Sequence, residues 1–95
     1  MQFEWDENKN QINKRIHGIG FEEAVLVFLD EKRIEKYDWK HSTDEEDRWN
    51  VIGNIGTQTI LFVVSTDRGD KIRMISARPA EEDEIDEYYR DYDAR

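Results

Sequence analysis

The sequence predicts an α+β fold: two N-terminal helices, a four-stranded antiparallel sheet with Phe3 to Trp5 as a candidate short leading strand, and a C-terminal helix. Three observations carry that expectation. Apolar residues recur at three- and four-residue steps near both ends of the chain, as they do on the buried stripe of a helix. Between those ends they alternate with polar residues or run together in short segments, as in strands. The links between the strand-like segments are mostly too short for anything but antiparallel neighbours.

From Glu7 to His17 the spacing of Ile12 and Ile16 is helical, Asp6 is placed to cap the first turn, and Gly18 stands where a glycine commonly ends a helix. A second helix is expected from Phe21 to Leu29, with Phe21, Ala24, Val25 and Phe28 as its buried stripe. Weak alternation from Arg33 to Trp39 marks a first strand, and the stretch His41 to Asp47, with no apolar residue, reads as an exposed loop. A strand from Arg48 to Ile55 follows, with Trp49 and Val51 on one side. Thr59 to Ser65 and Lys71 to Ala77 complete the meander, separated by a turn at Asp67 to Asp70. The segment Ile60 to Ser65 is apolar on both faces, which predicts a central strand covered by helices on one side and by long side chains on the other. Pro79 suits the first turn of a closing helix on which Ile85, Tyr88, Tyr89 and Tyr92 share a face.

Ninety-five residues are read as one domain, 1–95, with one modest core. Cysteine is absent, so neither disulfides nor thiolate metal sites are available, and the expected compartment is the cytoplasm. The acidic opening MQFEWDENKN does not read as a signal peptide, and the longest apolar run, Ile60 to Val64, is far short of the ~20 residues of a membrane helix. No membrane partner is expected. The net charge of −9 opposes general affinity for nucleic acid, but −6 of it lies in Glu81 to Arg95, leaving only −3 over residues 1–80. His17 and His41 stand about two dozen residues apart with no metal-ligand spacing, and no glycine-rich phosphate loop or nucleophile elbow is present, so no metal or cofactor is expected.

The opening Phe3 to Lys9, followed by Lys14, His17-Gly18 and Phe21-Glu22-Glu23-Ala24, resembles the start of BrnT-type toxins. The resemblance continues through His41, Asp44 to Trp49, Ile52-Gly53, the Leu61 to Val64 strand, the segment Arg73 to Ala80, and then Glu84 and Tyr88. It covers nearly the whole chain. It implies a RelE-like fold and a metal-independent endoribonuclease toxin that cleaves RNA and halts translation. It also implies a cognate BrnA-like antitoxin that covers the toxin and through which alone the pair reaches operator DNA. The sequence departs from the family between Ala80 and Tyr88, where relatives are often basic and this chain reads E-E-D-E-I-D-E. That departure keeps a second reading open, a non-catalytic toxin-like module that seats an antitoxin and co-represses its operon.

Metal-free RNA cleavage needs a base for the 2′-hydroxyl, positive charge around the phosphate and an acid for the leaving 5′-oxygen. Arg78, Arg73 and Arg48 are the candidate charge-stabilising residues, because guanidinium forks match phosphate geometry. Arg78 stands first, since it lies in the I-S-A-R segment and precedes a helix whose amides can receive a phosphate. Strand parity alone sets Arg73 and Arg78 on opposite sides, with the break at Pro79 available to re-aim Arg78. The alternative for each arginine is an ion pair: Arg48 and Arg73 with acids such as Glu46 or Asp47, Arg78 with Glu84. His41 is the candidate acid or base, with Asp44, Glu45 or Glu46 near enough in sequence to orient its ring. Lys14 and Ser76 are candidate substrate contacts. Trp5, Trp39 and Trp49 are read as packing, with base stacking as the alternative.

Overall fold

The computed structural model describes residues 1–95. Its sheet has five strands in the order β1-β5-β4-β3-β2. They are β1 (Gln2–Glu4), β2 (Ile34–Tyr37), β3 (Arg48–Asn54), β4 (Ile60–Arg68) and β5 (Lys71–Pro79). Strands β2 to β5 form the expected antiparallel meander. The leading strand is a full member of the sheet, and it pairs in parallel with Lys71, Ile72 and Arg73 of β5. The sheet therefore has five strands, not four, and is mixed.

Helix α1 (Glu7–His17) begins and ends as its sequence predicts: Asp6 accepts from the amides of Asn8 and Lys9, and Gly18 closes the helix at φ 72°. Its buried residues, however, are Asn10 and Asn13, while Ile12 and Ile16 are exposed. The reason is the edge it covers. Strand β1 pairs only with the start of β5, and further along the Asn13 amide takes over, donating to the Ala77 carbonyl at 2.7 Å and accepting from the Ala77 amide at 3.2 Å. Asn10 performs a similar service for the next element, accepting from the Phe21 amide at 2.8 Å. Buried backbone groups must be paired, and the two asparagines supply partners that isoleucine lacks.

The second helix is shorter than expected. Only α2 (Phe21–Ala24) is α-helical, and Val25–Leu29 tightens into a 3₁₀ segment. At three residues per turn Phe21, Ala24 and Val27 stack above one another, so Val27 is fully buried where the α-helical pattern favours Val25. Gly53 on β3 makes room for this segment, since a Cβ there would stand 2.9 Å from that of Val27.

The closing helix α3 (Glu82–Tyr89) starts three residues later than its sequence suggests. Pro79 belongs to β5, opposite Leu61, and not to the first turn of the helix. The Ala77 amide points outward to Asn13 and the Ala80 amide inward to the Ile60 carbonyl, so alternation turns the proline nitrogen away from β4 and no ladder bond is lost. Glu81 and Glu84 then close a capping box at the start of α3.

Both faces of β4 are covered by helical elements, in place of helices on one side only. Phe21, Ala24, Val27 and Phe28 pack on Val51, Leu61, Val63, Met74 and Ala77 on one face. Tyr88 of α3 packs on Ile52 and Ile60 on the other, with Ile85 and Phe62 alongside. Helix α3 covers only one end of that second face, and the other end lies open.

Candidate active site

The site-bearing face follows from the sheet register, because directly opposed residues share a face and chain neighbours alternate. Three rows cross it. Arg48 stands opposite Thr66, and Thr66 opposite Arg73. Lys36, Asn50, Val64 and Ser76 form the second row, and Ile34, Ile52, Phe62 and Arg78 the third. Between Val64 and Ser65 the pairing on β5 skips from Ser76 to Met74, leaving Ile75 as a bulge. A bulge inserts one residue and reverses the parity beyond it. Arg73 and Arg78 consequently lie on one face, and the device that brings them there is Ile75, not a turn at Pro79.

Beside the first two rows the loop after β2 folds back tightly. The Asp38 amide donates to the Arg48 carbonyl at 2.8 Å, and the Ser42 hydroxyl accepts from the Arg48 amide at 2.9 Å. This closure seats His41 next to Arg48. Asp38, His41, Arg48, Asn50, Phe62, Val64, Ile75 and Ser76 line one cavity of about 250 Å³. Of the six residues singled out from sequence, His41, Arg48 and Ser76 thus share a cavity. Arg78 adjoins it, with its guanidinium 4.3 Å from the centre of the Phe62 ring. Arg73 stands at the far end of its row, and Lys14 is held at 3.1 Å by Glu22 of α2 and does not join them.

The acid that orients His41 is Asp38, three residues before it, and not one of Asp44, Glu45 or Glu46. Nδ1 of His41 lies 2.9 Å from the Asp38 carboxylate, whose other oxygen accepts from the His41 amide at 3.2 Å. Burial opposes the charge on Asp38, but these bonds from the ring and the amide outweigh it and hold the carboxyl below its usual range. With Nδ1 committed to Asp38, Nε2 is the free nitrogen of a ring that is 58% exposed.

All three arginines carry a carboxylate partner. Arg48 holds Glu46 at 2.7 Å and Arg73 holds Glu4 at 2.7 Å. Arg78 grips Glu84 with both terminal nitrogens, each at 2.8 Å. The bond from Arg48 lowers the pKa of Glu46, and the bond from Arg78 lowers that of Glu84. The pairing leaves different reserves. Arg78 commits both terminal nitrogens to Glu84, one of them also donating to the Pro79 carbonyl at 3.2 Å, and the amide of Glu81 at the head of α3 is also taken by Glu84. Arg48 engages Glu46 through Nε alone, so both terminal nitrogens are without a partner.

Asp38, Asn50 and Phe62 are the cavity residues that sequence reasoning missed. The Asn50 side-chain oxygen is buried with no hydrogen-bond partner. Its signal in the sequence is an amide between the apolar Trp49 and Val51, and that of Asp38 is the D-x-x-H spacing to His41.

A histidine braced by a carboxylate can exchange a proton, and a guanidinium with unspent donors can bind a phosphate. The model describing the ribonuclease toxin BrnT of type II toxin-antitoxin systems matches residues 5–84. The chain belongs to the BrnT family. The crystal structure of the Brucella abortus ribonuclease toxin BrnT is similar to it at 27% identity with a TM-score of 0.65, covering 86% of this chain and 99% of that one. No curated protein matches. The BrnT match ends at Glu84, so it takes in Arg78 and its carboxylate partner but stops short of the rest of α3.

Proposed function

We propose that this BrnT-family protein is a metal-independent endoribonuclease whose reacting centre is the cavity of His41 and Arg48. The observation that carries the reading is the Asp38–His41 pair, 2.9 Å apart, lining the same cavity as Arg48, whose terminal nitrogens have no partner. His41 Nε2 exchanges the proton, either taking it from the 2′-hydroxyl or returning one to the leaving 5′-oxygen. Asp38 fixes the ring and steadies the imidazolium that forms. Arg48 binds the phosphate, whose charge grows in the transition state. Ser76 and Asn50, which line the same cavity, contact the flanking ribose or base. Arg73 is an outer phosphate contact, and Arg78 acts chiefly by fastening α3 through Glu84. Lys14, already bound to Glu22, is at most a peripheral contact.

In this reading the fold is RelE-like, the single domain 1–95 acts in the cytoplasm, and RNA cleavage inhibits translation. The partner is a BrnA-like antitoxin, which supplies the contacts to operator DNA. The test is cleavage of total RNA in EDTA by the wild type, His41→Ala and Arg48→Ala, with folding checked by circular dichroism and translation followed by growth arrest. Each folded variant is expected to lose about 100-fold or more in rate. Cleavage by His41→Ala at the wild-type rate would overturn the site. The carboxylate on every site arginine favours a second reading, a toxin-like module that binds antitoxin without cutting RNA, and that reading prevails if the wild type leaves RNA intact while binding antitoxin.

A further inference from the structure

The other face of the sheet holds a second cavity that the nuclease reading does not use. Beside Phe28 of the 3₁₀ segment, Glu35, Trp49, Ser65, Asp67 and Ile72 complete the lining of a space of about 230 Å³. Trp49 opposes Ser65 across β3 and β4, and Asp67 opposes Ile72 across β4 and β5, so these side chains stand on the face opposite Arg48, Thr66 and Arg73. The walls are apolar, from Phe28, Trp49 and Ile72, and the rim is acidic on two sides. Glu35 contacts Arg33 at 3.3 Å, but Asp67 enters no ion pair. The indole Nε1 of Trp49 is buried and donates to nothing.

Apolar walls and a free carboxylate at the rim describe one ligand chemistry. The walls suit the aliphatic stem of a long basic side chain, and Asp67 and Glu35 its cationic head. A nucleic acid fits poorly, because both rim groups repel phosphate. We infer that this cavity seats a lysine or arginine of the antitoxin, on the face opposite the nuclease site. The inference rests on the toxin-antitoxin reading for its partner, and charge complementarity names the residue type. Docking here leaves His41 uncovered, so this anchor contributes affinity, and blocking of the site falls to another part of the antitoxin.

The test uses the full chain and two probes. In ¹H–¹⁵N spectra the Trp49 indole resonance, assigned through Trp49→Phe, is expected to move on addition of the peptide N-acetyl-Leu-Arg-Leu-amide and to stay in place with N-acetyl-Leu-Glu-Leu-amide. The double variant Glu35→Gln, Asp67→Asn is expected to weaken antitoxin binding by about tenfold or more and to leave RNA cleavage by the free toxin at the wild-type rate. Full antitoxin affinity in the double variant, or an indole resonance that follows RNA and not the arginine peptide, overturns the inference. Failure of the nuclease reading shows separately, as intact RNA, and does not touch either readout.

Discussion

Arg73 and Arg78 face the same side of the sheet although they stand an odd five positions apart, because Ile75 bulges out of the pairing between β4 and β5. Uniform alternation would drive Arg78 into the face occupied by Ala77 and Met74 and would pull Glu84, with α3, off the sheet. Deletion of Ile75 is therefore expected to abolish cooperative folding, whereas Ile75→Val, which keeps the residue count, stays folded at a cost of about 0.5–1.5 kcal/mol. Urea titration followed by circular dichroism distinguishes the two.

The pair of Arg78 and Glu84 predicts an acid-labile helix. Hydrogen bonding to Arg78 lowers the Glu84 pKa below its usual 4.5, so the folded state binds fewer protons at this group than the unfolded chain. The contribution is fully present above pH 4.5 and is lost as pH falls through the lowered folded value. Glu84→Gln is expected to cost about 1–3 kcal/mol at neutral pH, and much less once the wild-type carboxylate is itself protonated. Denaturant midpoints of both proteins at pH 7 and pH 3 check it, and an equal gap at the two values would contradict the assignment.

Glu46 holds Arg48 at 2.7 Å and stands as a competitor for any phosphate arriving there. Glu46→Gln is expected to raise affinity for a short RNA by about three- to tenfold, the scale of one rim charge, and to make that affinity more salt-dependent. Fluorescence anisotropy in the His41→Ala background, where cleavage does not interfere, reads the effect directly. A fall in affinity would mean that Glu46 aims Arg48 and does not compete for it.

Much of this protein is written in local sequence. Asp6 and Gly18 bound α1 through short-range bonds and a single backbone conformation, and the apolar run from Ile60 announces a central strand because both faces of β4 meet a core. The order and spacing of the motifs from Phe3 to Tyr88 were enough to suggest the family to which residues 5–84 belong. His41, Arg48 and Ser76 were legible as candidates from chemistry alone, and the fold sets them around one cavity.

Other features depend on partners distant in sequence. Asn10 and Asn13 displace Ile12 and Ile16 from the buried side of α1 because β5 presents an unpaired edge at Ala77, 64 residues beyond Asn13. Pro79 fits a helix start and a strand end equally well by local preference, and only its outward-facing nitrogen next to β4 selects the strand. Asp38 claims His41 over Asp44, which is equally near in sequence, because the loop closes on Arg48. In each case the tertiary structure decided, since a buried polar group takes whichever partner the fold brings within hydrogen-bond reach, and separation along the chain does not measure that distance.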